Sequence, residues 1–169
     1  YATSYIPTYG TSVTRNGELV SNAGDSSTFN STEGVLYAEI KALDNTGGLR
    51  LMQLSDGSSN NRVSLYYDGS SAAIYSNVVV NNNANPLSHS IAITDYIKVA
   101  VTWKENYFSL WVNGNEVSND TSGATFPADV LDDFSLSLNG VYPFNGNVKH
   151  IMTFNSTLSN EKLADLTTL

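Results

Sequence analysis

Few carboxylates in this sequence have the spacing that catalysis requires. Hydrolysis of a glycosidic bond needs two carboxyl groups, an acid and a nucleophile, about 5 Å apart in retaining enzymes. Glu39 in YAEIKALD and the adjacent Asp132 and Asp133 are the nearest candidates, and neither has a partner carboxylate at position i+2 or i+4 on the same strand face. We therefore predict no catalytic residues and interpret these carboxylates as solvent-facing charges on strands or turns.

Aromatic side chains offer a different chemistry, the binding of a sugar ring. A carbohydrate site needs a flat aromatic surface for the apolar face of the ring, with amides and carboxylates that bind its hydroxyl groups. In YFSLWVN, strand alternation directs the apolar triplet inward and Tyr107, Ser109, Trp111 and Asn113 outward. We predict that Trp111 is exposed and that it forms a sugar-binding surface with Tyr107 and Asn113.

Arg62 and Tyr66 are the other candidate ligand-binding residues. Alternation in RVSLYY places both on the face opposite the apolar residues. They can join Trp111 if the two strands belong to one sheet. The alternative is that the N-terminal segment, the Asn-rich stretch 78–90 or a neighbouring subunit covers these aromatic residues, because exposed aromatic patches mark protein interfaces as readily as glycan sites.

Strands and turns must position these residues, since the composition disfavours helices. Short alternating segments such as GVLYAEIKAL, RVSLYY and YIKVAVTW recur, and Gly, Asn or Asp closes each of them. Even spacing of this kind predicts an all-β fold, a two-sheet antiparallel β-sandwich of the jelly-roll type. The residues predicted to be mostly buried are Leu36, Ile40, Leu65, Val99, Val101, Trp103, Phe108, Leu110, Val112, Phe134, Leu136 and Leu138.

Two further segments complete the predicted architecture. LSNEKLADLTTL is the one helical pattern; Ser159 is its predicted N-cap, and Leu158 before the cap is expected to pack on Leu163. We expect this short C-terminal helix to lie against the sandwich as a brace.

The stretch VVVNNNANPLSHS is predicted to be an exposed, mobile loop that contains His89, whereas His150 is placed in a strand.

Composition bounds the function further. A length of 169 residues predicts one domain, spanning 1–169. Acidic residues outnumber basic ones 16 to 8, which argues against sequence-independent binding to the phosphates of nucleic acid. No apolar run approaches the length needed for membrane insertion. The chain has no cysteine and two distant histidines, which argues against disulfides and against a thiolate or histidine metal cluster.

Several blocks together resemble one family. The blocks TSYIPTYGTSVTRNGE, FNSTEGVLYAEI, LSDGSSNNRVSLYY, IKVAVTWKENYFSLWVNG and FNGNVKHIMTFNSTLSNEKLADLT are similar, in order and spacing, to the concanavalin A-like, laminin G-like jelly rolls of phage tail and other virion proteins. The resemblance runs nearly end to end. It implies a module from a longer, oligomeric polypeptide, located in a virion or outside cells.

The resemblance also suggests what to look for in this chain. Glycosidases of the superfamily carry a Glu-x-Asp-x-x-Glu run, which this sequence lacks. Related lectins often hold calcium near strand ends, where Asp25, Asp56 and Asp68 are the candidate ligands here. Asp56 and Asp68 stand in Asp-Gly dipeptides, which are typical of plain turns. No cofactor is predicted as a requirement, and calcium is the less favoured interpretation.

These observations lead to one hypothesis and two alternatives. The hypothesis is a non-catalytic adhesion module that binds a cell-surface glycan or polysaccharide from a phage tail or other virion appendage. The first alternative is a structural or decoration domain whose aromatic face contacts other virion subunits. The second is a glycan-degrading enzyme with a degenerate motif.

Overall fold

The computed structural model of the protein describes residues 7, 9–12, 20, 23–43, 48–68 and 70–169. The first block of the family resemblance, TSYIPTYGTSVTRNGE at residues 3–18, lies largely outside the described residues. In the described ranges the elements are β1 (Gly34–Ala42), β2 (Leu49–Ser55), β3 (Arg62–Asp68), β4 (Ala73–Val80), β5 (Asn83–Ser90), β6 (Ile97–Lys104), β7 (Tyr107–Val112), β8 (Asn115–Asp120), β9 (Asp133–Ser135), β10 (Gly146–Phe154) and α1 (Asn160–Thr167).

The strands form two five-stranded antiparallel sheets. The front sheet has the strand order β5-β4-β3-β2-β9, and the back sheet has the order β10-β1-β6-β7-β8. Each sheet contributes one apolar face to a shared core, as the alternating sequence requires. The predicted sandwich with a short C-terminal helix is therefore confirmed. None of the helices in the described ranges has the length and apolar character needed to span a membrane.

The core follows the predicted alternation closely on the long strands. The nine predicted core residues of β1, β3, β6 and β7 are each at most 2% exposed. Phe134, Leu136 and Leu138 are less completely buried, and Phe134 and Leu136 pack against this core as predicted. Phe134 belongs to β9, which has only three residues and lies at the end of the front sheet.

The Asn-rich stretch is a β-hairpin, so the loop prediction was wrong. Asn81 and Asn82 both have positive φ angles, of 49° and 67°, and together they form the two-residue connection between β4 and β5. Asn tolerates this left-handed conformation better than most residues and is favoured in such primed turns. His89 consequently lies in β5 and not in a loop. Pro86 is tolerated in β5 because this strand is at the edge of the front sheet.

Helix α1 begins and packs where the sequence indicates. The backbone N–H of Lys162 donates to the Ser159 side chain, which confirms the N-cap. The helix packs on the outer face of the back sheet, and Leu163 is fully buried there. Two hydrogen bonds fix its C-terminal end: Gly114 N donates to Thr167 Oγ1 at 3.1 Å, and Lys98 Nζ donates to the carbonyl of Thr168 at 2.7 Å.

Candidate functional site

Trp111 points away from the sandwich core but is not exposed. Only 5% of its surface is accessible, because α1 covers this part of the back sheet. Its Nε1 donates to Ser109 Oγ at 3.1 Å, so its polar atom is also satisfied internally. The predicted exposure of Trp111 is therefore wrong. The residue belongs to a second apolar cluster, whose buried members are Val35, Tyr37, Ala100, Trp111 and Leu163.

Tyr107 and Asn113 lie on the same face as Trp111 but do not form a site with it. Tyr107 is half-buried at the start of β7. Asn113 has a φ of 48° and forms a turn with Gly114, whose φ is 84°. The Asn113 side-chain oxygen accepts a hydrogen bond from the backbone N–H of Lys98 at 3.0 Å. Asn113 therefore stabilises the turn between β7 and β8.

Arg62 and Tyr66 are on the opposite side of the molecule from Trp111. They belong to β3 in the front sheet, whereas Trp111 belongs to β7 in the back sheet. The five predicted ligand-binding residues therefore do not form one surface, because they are divided between the two sheets. The outward direction of Arg62 and Tyr66 is as predicted, since Val63 and Leu65 between them are fully buried in the core.

The outward side of the front sheet carries the more promising set of side chains, which we call the front face. Cross-strand register aligns Gln53 with Ser64 and Ser64 with Asn77, so three polar residues form one row across β2, β3 and β4. The larger side chains around this row are half-buried, while Gln53 and Ser64 are fully buried. The front face is defined by Gln53, Ser55, Arg62, Ser64, Tyr66, Tyr75, Asn77 and Asp133.

Two stacked tyrosines form the aromatic part of the front face. Tyr66 and Tyr75 are cross-strand neighbours, with ring centroids 5.1 Å apart and ring planes 8° from parallel. The Tyr75 hydroxyl lies 2.9 Å from Ser71 Oγ, which holds its ring in place. Burial, and next the charge of Tyr75, raise the pKa of the Tyr66 hydroxyl. That hydroxyl is therefore protonated at neutral pH and can donate a hydrogen bond.

Unpartnered polar atoms are concentrated on the same face. Six buried side-chain polar atoms in the described part of the chain have no hydrogen-bond partner, and four of them belong to the front face. These four are Gln53 Oε1, Asn77 Oδ1, Asp133 Oδ1 and Arg62 Nε. A buried polar atom without a partner costs about 1–3 kcal/mol. A ligand that supplies hydrogen bonds here, after neighbouring side chains move to expose these atoms, would recover part of that free energy.

Of the eight residues that define the front face, only two were predicted from the sequence to bind a ligand. Sequence analysis identified Arg62 and Tyr66 but not Tyr75, Asn77 or Gln53. Alternation in AAIYSNVVV does separate Tyr75 and Asn77 from the inward apolar residues, and that signal was available. The pairing of Tyr66 with Tyr75 also requires the register of the β3–β4 hairpin, which aligns Asp68 with Ala73.

The candidate catalytic carboxylates do not form a pair. Glu39 is only 8% exposed, so its predicted solvent-facing position is wrong. Its Oε1 lies 2.6 Å from Lys149 Nζ, and the hydrogen bond from Lys149 holds the pKa of Glu39 below its usual value. Glu39 is on β1 in the back sheet, whereas Asp133 is on β9 in the front sheet. Asp132 is exposed beside it.

The three candidate calcium ligands each accept hydrogen bonds within their own turn. Asp25 accepts from Ser27 and Thr28, and these bonds lower its pKa. Asp56 and Asp68 likewise accept hydrogen bonds from serines two positions later, at 2.6 Å in both cases. Within the described ranges no three His, Cys, Asp or Glu side chains group closely enough to hold a metal ion. These aspartates act as turn-forming residues in this structure.

A separate pocket of about 230 Å³ lies between the loop at residues 26–31 and residues 128–129. Several of its polar groups already bond to the protein. Asn30 Nδ2 donates to the carbonyl of Asn155 at 2.8 Å, and Ser31 Oγ accepts from the backbone N–H groups of Val130 and Leu131. The pocket therefore differs from the front face, whose polar atoms lack such partners.

Comparisons with known proteins identify the fold. No family model and no curated protein matches the chain. The CBM40 module of the Ruminococcus gnavus IT-sialidase, bound to alpha2,3 sialyllactose, has a TM-score of 0.69 and 17% identity over 92% of this chain and 97% of that chain. Domain 4 of AbnA, a GH43 extracellular arabinanase from Geobacillus stearothermophilus in complex with arabinotriose, has a TM-score of 0.65 and 16% identity over 86% of this chain and 70% of that chain.

A third similar structure is the heptameric SAP-like pentraxin of Limulus polyphemus, with a TM-score of 0.64 and 12% identity over 86% of this chain and 73% of that chain. At these identities the similarity establishes a fold and not a function. The chain thus has the β-sandwich jelly-roll fold of these domains, as the sequence predicted.

Proposed function

We propose that the protein is a non-catalytic carbohydrate-binding module whose ligand lies on the front face. The observation that carries this proposal is the stacked pair Tyr66 and Tyr75 beside four buried polar atoms without hydrogen-bond partners. Aromatic surface and convergent polar groups are the two chemical requirements of a sugar site. The front face combines them on neighbouring strands.

The polar atoms of the front face match the chemistry of sugar hydroxyl groups. Gln53, Asn77 and Asp133 each have a buried side-chain oxygen that lacks a donor, and hydroxyl groups can donate to such oxygens once side-chain rotation exposes them. The Tyr66 hydroxyl can donate in return. A polyhydroxylated ligand satisfies several such groups at once, whereas an apolar partner would leave them unpaired at a cost.

Two further observations support the proposal. Two of the similar structures were determined with an oligosaccharide, sialyllactose in one case and arabinotriose in the other. The candidate carboxylates favour a non-catalytic role, because Glu39 is paired with Lys149 and lies on a different sheet from Asp133.

The biological setting is part of the same proposal. We place the module on a phage tail or another virion appendage, where it binds a cell-surface glycan and assembles with other virion subunits. This placement rests on the sequence resemblance to virion jelly rolls. Immunodetection of the chain in purified particles tests it, and its consistent absence from particles would contradict it.

A glycan array tests the binding function, followed by titration of the glycans that bind. Tyr66→Ala and Tyr75→Ala should each weaken binding, while Tyr107→Ala, a half-buried tyrosine on the back sheet, should leave it unchanged. Loss of binding in Tyr107→Ala alone would place the site on the back sheet. If the protein binds no glycan and Tyr66→Ala instead disrupts its assembly with virion subunits, the structural alternative is correct.

A further inference from the structure

Arg62 is a partly buried cation without a carboxylate partner among the described residues. Its Nη1 donates to the carbonyl of Ser59, and its Nε has no acceptor. Two lysines in the described part of the chain are paired with acids, Lys149 with Glu39 and Lys104 with Glu33, whereas Lys98 donates to the carbonyl of Thr168. Arg62 differs from the two paired lysines in having no acid within ion-pair distance among the described residues.

The environment makes this arrangement costly. Burial disfavours the charged guanidinium and lowers the pKa of Arg62. The chain carries 16 acidic residues, so a local acid would have been easy to supply. Asp133 is on the same face as Arg62 but two strands away, since Ser55 of β2 pairs with Arg62 on one side and with Asp133 on the other. Two strand spacings separate the backbones of Arg62 and Asp133 by about 10 Å. No ion pair joins Asp133 to Arg62 within the described residues, and Asp133 Oδ1 itself lacks a partner.

Arg62 is also well placed relative to the stacked tyrosines. It lies on the same face of β3 as Tyr66, four residues earlier, which is about 13 Å along the strand. The long side chain of Arg62 can span part of this distance. An oligosaccharide that rests on the tyrosines can therefore extend to the guanidinium.

We propose that the ligand of the front face is an acidic glycan, and that the guanidinium of Arg62 binds a sugar carboxylate. This inference rests on the proposed carbohydrate-binding function and specifies the class of sugar. The planar guanidinium presents its N–H donors in a geometry that suits a carboxylate, which a lysine does not reproduce. The neutral polar groups of the front face then bind the hydroxyl groups of the same ligand.

Matched acidic and neutral sugars test the charge requirement by isothermal titration calorimetry. One arm compares 3′-sialyllactose with lactose, and the other compares trigalacturonic acid with its methyl ester, so a sialic acid is distinguished from a uronic acid. In at least one arm the acid should bind about 10- to 100-fold more tightly than its neutral partner, the factor expected for hydrogen bonds to a charged group.

Variants of Arg62 test the residue itself. Arg62→Gln should remove the preference for the acid while leaving weak binding of the neutral sugar, and Arg62→Lys should retain only part of the preference. Lys104→Gln, which removes a cation on the back sheet, should change neither affinity. Thermal melting of each variant verifies that it is folded.

The outcomes separate this inference from the proposed function. Equal affinity for acid and neutral sugar in both arms, with binding still lost in Tyr66→Ala, would overturn the acidic ligand and leave the carbohydrate-binding function intact. A preference for the acid that survives Arg62→Gln would overturn the role of Arg62. Failure to bind any glycan would overturn both.

Discussion

Replacement of Trp111 by alanine should destabilise the protein and leave glycan binding unchanged. Trp111 is 5% exposed and packs between the back sheet and α1, so its removal leaves a cavity that only the helix could fill. Truncation of a buried Trp to Ala typically costs about 3–5 kcal/mol. In a protein of this size each kcal/mol lowers Tm by about 2–4 °C, so we expect a decrease of roughly 6–20 °C.

Thermal and urea unfolding curves measure this loss, and two variants calibrate it. Trp103→Ala, at the centre of the main core with 1% exposure, should give a decrease on the same scale. Met152→Ala removes a side chain that is 39% exposed on β10 of the same sheet, and it should change stability by no more than about 0.5 kcal/mol. Glycan titrations are carried out well below the Tm of the Trp111 variant, where wild-type affinity is expected.

One result would refute this reasoning. If Trp111→Ala melts like the wild type but loses glycan affinity, then α1 does not cover Trp111 in solution. The back sheet would then be the sugar-binding surface, and the front face would need another role.

The remaining predictions concern the front face, an ion pair and a turn. Tyr66→Ala and Tyr75→Ala should each weaken glycan binding by about 1–3 kcal/mol, a value taken from aromatic stacking on nucleic acid bases; unchanged affinity in both titrations would contradict the proposed site. Glu39→Gln should be less stable than the wild type at pH 7, because the hydrogen bond from Lys149 lowers the pKa of Glu39 in the folded state. The extra stability of the wild type is fully present above the unfolded pKa of Glu39, about 4.3, and is lost as pH falls through the lower folded pKa. In urea unfolding from pH 7 to pH 2, the free energies of unfolding of the two proteins should therefore converge. A constant difference would argue against the ion pair. Asn82→Val should lower the free energy of unfolding by about 1–2 kcal/mol, because a β-branched residue is strained at a φ of 67°. Asn82→Gly should be at least as stable as the wild type. Equal melting temperatures of the two variants would contradict the turn assignment.

The sequence alone determined the fold class and the direction of most strand residues. Alternation of period two is a local property, and it assigned Leu65 and Trp103 to the core and Arg62 and Tyr66 to the outer surface. The Ser159 cap of α1 was predictable for the same reason, since capping depends on neighbouring residues. The Asn81-Asn82 turn was also a local signal, but the density of Asn around it led to the prediction of a loop.

The tertiary structure decided which outward residues are accessible and which of them meet. Alternation sends Trp111 out of the sandwich, but α1, some fifty residues later in the chain, buries it. Strand order separates Trp111 from Arg62 and pairs Tyr66 with Tyr75 across the β3–β4 hairpin. Such contacts depend on which surfaces bury the most apolar area against each other over long sequence distances. A pattern of period two specifies the side of a strand, and only the packed sheets and helix determine what lies on that side.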